Sequence, residues 1–285
     1  MTTKEFRKAA VSAFIAAATM AGAASTQAAV FVASGDSPAS IQTTVDDFRA
    51  ALGTNNGVGG TFASGRREIN WDGVANGFAA PNQLPGNFFN TSSARGLVVT
   101  TAGSGVAVSS NFASGVSPLF GNLDLLQSLQ FQTFSAERLF TALNSTTVDV
   151  QFFIPGTGTP TFVSGFGAVF TDVELAGGTL FTVTLGDGSS GGQFAVPVGG
   201  NHSLSFLGLT DPRGYRSIRI QSGTGAVGTT ENLANNRDVV AMDDFIYGEP
   251  NNPSLSAVPV PVPVPAPVAL LGLGVLGFGW RARRR

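Results

Sequence analysis

Hydrophobic residues follow three different rhythms along this chain, and each predicts a different kind of element. In the middle, apolar positions alternate with period two, the spacing that sends successive side chains to opposite faces of a strand. Val148, Val150, Phe152 and Ile154 share one face of such a strand. Phe181, Val183 and Leu185 alternate with Thr182 and Thr184 and run into a Gly186-Asp187-Gly188 turn. Further strands are predicted over 193–198, over 204–207 and around Ile218 and Ile220, with shorter candidates at 68–71, 97–100 and 106–108. The stretch 239–247 is apolar on both phases apart from Asp243-Asp244, as expected of a strand covered on both sides. A helical rhythm occurs over 40–52, where Ile41, Val45, Phe48 and Leu52 fall on one face and Gly53 supplies the stop. Residues 131–143 fit either a turn of helix or a strand with Phe131, Phe134, Leu139 and Phe140 inward. Gly/Asn/Thr-rich loops are predicted over 53–65 and 222–237.

The third rhythm, unbroken apolar runs, belongs to the two ends. Lys4, Arg7 and Lys8 precede an apolar and small-residue stretch over 9–24, followed by Thr26-Gln27-Ala28. This is the three-part pattern of a secretory signal peptide over 1–28, and the stretch is short of the ~20 residues a membrane span needs. At the other end, Val258 to Pro267 alternates Pro with Val or Ala, a stiff extended spacer closing a linker over 249–267. Residues 268–280, VALLGLGVLGFGW, then lead to Arg281, Arg283, Arg284 and Arg285. As a helix rising ~1.5 Å per residue this run is shorter than a ~30 Å hydrocarbon core. It is expected to form a short transmembrane helix over 268–285, with its arginines stopped on the cytoplasmic side and the body outside.

The Pro motif, the short greasy helix and the terminal Arg cluster together resemble the PEP-CTERM class of sorting signals. Val262-Pro263-Val264-Pro265-Ala266 resembles its VPLPA variant, with Val264 where that variant has Leu. The resemblance implies export from a Gram-negative bacterium and recognition by a membrane-embedded exosortase-type transpeptidase. It also implies cleavage near the Pro motif and association with exopolysaccharide and biofilm matrix.

Between the ends, many short strands divided by Gly, Pro, Asn and Ser clusters, without amphipathic helices, predict an all-β body over 29–248. A β-sandwich or jelly roll with short helical segments is expected, not a parallel α/β fold. The segments 166–173, 204–208 and 242–248 resemble those of uncharacterised extracellular β-sandwich bodies, and through them lectin-like jelly rolls. Of 23 Phe in the chain, twenty lie in this middle part, so the core is built on Phe.

Composition narrows the chemistry. Cys is absent, which removes disulfides and thiolate sites, and a single His, His202, removes multi-His metal centres. Both lysines lie in the leader; the body and linker over 29–267 hold nine arginines against 17 acids, a formal charge of −8. Phosphate backbones need clustered positive charge, so nucleic acid is not an expected partner. An acidic exported body suits solubility or Ca²⁺.

Gly188-Ser189-Ser190-Gly191-Gly192 spells G-x-S-x-G, but in a loop between short strands rather than at a strand–helix elbow. Ser190 with His202 is therefore a weak hydrolase candidate. Gly223 to Gly228 spells G-x-G-x-x-G, yet the polar stretch after it cannot make the crossover helix of a dinucleotide site. Asp243-Asp244 is the outstanding polar feature: carboxylates in so apolar a strand must be solvated, hydrogen-bonded, paired with Arg or metal-bound. Neighbouring strand residues point opposite ways, so at most one is expected to enter the core. Asp172, with Asp243 and Asp244, is a candidate Ca²⁺ ligand, and Glu174 and Asp72 are candidate co-ligands. Trp71 and Tyr215 are the candidate platforms for a sugar ring. The leading expectation is an exported, non-catalytic surface or matrix protein. A calcium-assisted carbohydrate-binding module and a secreted hydrolase with an unrecognised site are the alternatives.

Overall fold

One long strand organises the body. The structure, a computed structural model, describes residues 28–250. In chain order the elements are β1 (Ala29–Gly35), α1 (Pro38–Leu52), β2 (Arg66–Ile69), α2 (Phe88–Thr91), β3 (Leu97–Thr100), β4 (Gly105–Val108), α3 (Gln127–Gln130), β5 (Phe140–Leu143), β6 (Thr147–Phe152), β7 (Val163–Thr171), β8 (Leu180–Leu185), β9 (Ser190–Ala195), β10 (Leu204–Gln221) and β11 (Ala241–Gly248). The first part of β10, Leu204–Thr210, pairs with β1 on one side and β7 on the other. Its last part, from Ser217 to Gln221, pairs with β6 and β8. Between them Asp211-Pro212-Arg213-Gly214 interrupts the ladder. Pro212 lacks an N–H, Gly214 takes a positive φ of 69°, and the pairing with β8 slips between Tyr215 and Ser217.

Because β10 serves both halves, the predicted pair of separate sheets is a single eleven-stranded sheet folded over itself. Its main path runs β3-β6-β10-β7-β11-β5-β4, and the end strands approach each other, so the sheet is nearly closed. All pairings between these strands are antiparallel. The main core fills the fold, with Phe140, Phe152, Phe166, Phe170, Phe181 and Phe245 among its members. All six of those rings meet others of the set edge-on or tilted, in five pairs, the arrangements that aromatic quadrupoles favour.

Helix α1 covers the outer face of the β10–β7–β11 part. Pro38 sits in its first turn and Gly53, at φ 95°, closes it, its N–H donating to the Arg49 and Ala50 carbonyls. Ile41, Val45, Phe48 and Leu52 pack on Val169, Leu204, Phe206 and Ile246 as a second core. Gly167 and Gly208 lie directly under Phe48; a Cβ at either would stand 2.8 Å from its ring, so the helix can approach only because both are Gly. The 53–65 loop is fastened by Arg67, which is fully buried and donates to the carbonyls of Gly57, Gly59 and Gly60 and to both carboxylate oxygens of Glu249. Glu249 thus belongs to the body, one residue past the predicted linker boundary. Among the described residues no helix is long and apolar enough to cross a membrane.

Candidate functional site

Two groups of buried carboxylates flank the β7–β11 pair. The first is Asp243-Asp244. Met242 lies opposite Phe170 and Phe245 opposite Ala168, so β11 carries one residue more than β7 between them. A bulge of this kind turns two neighbouring side chains toward the same side. The expectation that only one of the pair enters the core is overturned: Asp243 is 0% and Asp244 3% exposed. One hydroxyl reaches both, Ser135 Oγ lying 3.3 Å from Asp243 Oδ1 and 2.6 Å from Asp244 Oδ1. The Phe134 N–H donates to Asp243 Oδ2 at 2.6 Å, and Arg49 Nη2 approaches Asp244 Oδ2 at 3.4 Å. Burial, reinforced by the neighbouring Asp244 charge, pushes the Asp243 carboxyl well above its ordinary range. Burial raises Asp244 as well, against the hydrogen bonds of Ser135 and Asp243 and the charge of Arg49. Two carboxylates so close influence each other, the charge of one disfavouring the charge of the other. Of the four fates open to the pair, hydrogen bonding and an Arg partner are the ones observed.

The second group gathers Asp172, Glu174 and Glu231, one ligand oxygen from each lying within 4.8 Å of the others. Asp172 follows β7 with a positive φ of 72°. Its Oδ1 accepts the His202 N–H at 2.6 Å, while its buried Oδ2 has no partner. Glu174 Oε2 is likewise buried and unpartnered. Beside them Asp238, fully buried, accepts the N–H groups of Glu174 and Leu175 on Oδ2 and leaves Oδ1 without a donor. Burial, with the charges of Glu231, Glu174 and Asp238 adding to it, pushes Asp172 up to about 8. Burial and the adjacent Glu231 carboxyl push Glu174 up to about 7, and burial raises Asp238. None of the ion pairs among the described residues involves any of these four acids. Arg237, next in sequence to Asp238, turns its guanidinium to the Thr230 carbonyl instead.

The predicted calcium set is therefore divided. Asp172 and Glu174 do come together, but Asp243 and Asp244 are not in their group. Asp72 is spent on the N–H groups of Glu137 and Arg138. Glu231 and Asp238 escape sequence reading, since they lie in or just after a polar loop and have no spacing relation to Asp172. Trp71 and Tyr215 are corrected from exposed platforms to core residues, 1% and 4% exposed. Trp71 stacks on Phe140 at 4.2 Å and its Nε1–H donates to the Asp243 carbonyl at 2.8 Å, so neither face of the indole is open to a sugar. Ser190 opens β9 beside its hairpin turn, and His202 lies beyond the other end of that strand, near the Gln130 carbonyl. The length of β9 separates them.

Residues 261–285 match the family model of the PEP-CTERM protein-sorting motif. No curated protein and no solved structure matches the chain. The matched stretch contains the motif Val262, Pro263, Val264, Pro265 and Ala266 and the stop residues Arg281, Arg283, Arg284 and Arg285; these, like all of the predicted leader over 1–28 except Ala28, lie outside the described residues. A tail of this type marks an exported protein handled by an exosortase-type enzyme in a Gram-negative bacterium.

Proposed function

We propose that this chain is a non-catalytic component of the cell surface or extracellular matrix, exported by its leader, held in the inner membrane by its tail until it is freed near Pro265, and retained among exopolysaccharide. The match at 261–285 carries the reading, joined to an acidic, Lys-free, Phe-cored body. The state of the outstanding acidic pair and of the Ser190–His202 candidate supports the same view. Asp243 and Asp244 are buried, closed to a substrate, and Ser190 opens β9 while His202 lies in the loop before β10 against the Gln130 carbonyl. Burial of Trp71 and Tyr215 takes away the ring faces on which the carbohydrate-module alternative rests.

Cell fractionation with intact-mass measurement on the native protein tests the proposal. The expected product lacks residues 1–28 and the stretch after about residue 265, and it sediments with the matrix polysaccharide until that polymer is digested. A product in the inner membrane that still ends in Arg285 would show the tail to be an anchor, and a free, unbound extracellular product would remove the matrix role.

A further inference from the structure

The second acidic group holds more carboxylate oxygen than the N–H donors around it satisfy. Asp172 receives one N–H, Asp238 two, and Glu231 one from Val239 through its Oε2, while Asp172 Oδ2, Glu174 Oε2 and Asp238 Oδ1 are buried without any partner. Left alone, a buried unpartnered carboxylate oxygen costs several kcal/mol of solvation. The fold nevertheless converges these groups from two directions. Asp172 and Glu174 leave the end of β7, and Glu231 and Asp238 arrive on the loop that precedes β11. Asp238 ties the two segments together by holding the backbone N–H groups of Glu174 and Leu175.

We infer that Asp172, Glu174 and Glu231 form a divalent-cation site fitted to calcium, with Asp238 as the residue that positions Glu174. The oxygens are the hard donors calcium takes, and calcium bonds them at ~2.3–2.6 Å, so two ligands of one ion stand at most about 5 Å apart. The 4.8 Å span of the three carboxylates is within that reach. Three carboxylates and a neighbouring fourth match a doubly charged ion better than any single Arg, and carbonyls or water would fill the remaining places of a six- to eight-fold shell. The ion would pin the 222–237 loop to the end of β7. It uses a different set of acids from the Asp172, Asp243 and Asp244 combination that the sequence suggests. The inference is independent of how the tail is processed.

The test uses the exported protein as isolated, freed of metal with chelator and dialysed, and titrated with calcium chloride or magnesium chloride alone. Calorimetry should show saturable calcium binding, and calcium at a hundredfold excess over Kd should raise the thermal midpoint by about 5–10 °C. Asp172→Asn and Glu231→Gln should each abolish both signals, while Asp149→Asn, which alters only an exposed ion pair with Arg219, should leave them intact. Glu231 is only partly buried, so Glu231→Gln decides the matter if Asp172→Asn does not fold. Absence of heat and of any midpoint shift up to about 10 mM calcium, well past the range of extracellular calcium modules, overturns the site. So does a full calcium response in Glu231→Gln, and a magnesium response equal to that of calcium overturns the choice of ion.

Discussion

Asp243-Asp244 and the Asp172 group are both buried acidic centres on the same pair of strands, yet the protein treats them in opposite ways. At Asp243-Asp244 the surroundings supply donors: a backbone N–H, a hydroxyl shared by both carboxyls, and a guanidinium from α1. At Asp172 the donors run out while the acids continue to accumulate, and three oxygens are left bare. Acidity and burial are common to the two. What separates a structural carboxylate from a candidate ligand is the balance of donors around it, which only a complete accounting of hydrogen bonds reveals.

The comparison can be broken most forcefully from beneath the first centre. Trp71 forms the floor under Asp243, stacked on Phe140 and packed against Phe89 and Phe245. Trp71→Ala should cost about 3–5 kcal/mol, read as a lowered urea midpoint, since a buried indole leaves a cavity and its partners stay in place. A loss below about 1 kcal/mol would show that the Asp243 centre does not depend on this packing.

A smaller effect separates charge from hydrogen bonding at the same site. Asp243→Ala leaves the Phe134 N–H and part of the Ser135 hydroxyl capacity unpaired and should cost about 2–4 kcal/mol. Asp243→Asn keeps an acceptor for the Phe134 N–H at a position where burial already disfavours the charge, and should cost under about 1.5 kcal/mol. Equal losses in the two variants would contradict the reading of this centre as one held by hydrogen bonds rather than by charge.

The smallest effect is a slope. In chelator Asp172 and Glu174 carry folded-state values above those of the unfolded chain, pushed up to about 8 and about 7. The folded state then binds more protons than the unfolded state across that interval. Stability is therefore full below the ordinary carboxylate range near pH 4 and declines as pH rises through about 8. Urea unfolding at pH 5 and pH 8 should show the decline, and Asp172→Asn should reduce it without abolishing it, because Asp243 is raised in the same direction. Calcium should flatten the slope by taking the place of the protons. A stability that is level, or that rises, between those two pH values would contradict the assigned titrations.

Much of the fold was legible because burial leaves a periodic trace. The helix predicted from Ile41, Val45, Phe48 and Leu52 is α1, ending at the predicted Gly53, and those four residues are its buried face. The strands read at 97–100, at 148–154 and from Phe181 to Leu185 are β3, β6 and β8 within two residues. The doubly apolar stretch is β11, all eight of whose residues are buried. Three features left no such trace. β1 is a run of Ala and Val with Phe31, with no polar alternation, and its outward Val30 and Val32 remain more than half exposed. In the 131–143 segment, where helix and strand were both open, strand β5 starts only at Phe140. The 204–207 and 218–220 strands read as two because Pro212 and Gly214 resemble a turn, whereas the chain bends there without leaving the sheet.

Amino-acid order alone determined the address and the material: the sorting tail, the absence of thiol chemistry, the acidic body, the β periodicity and the phenylalanine core. These are properties of neighbours along the chain or of totals, so they need no third dimension. Tertiary structure decided which acids meet and which aromatic rings are hidden. A one-residue bulge turned Asp243 and Asp244 the same way, and a loop from far along the chain carried Glu231 and Asp238 to Asp172. Convergence of this kind depends on strand register and loop path, which are set by long-range pairing and leave no spacing in the sequence to be read.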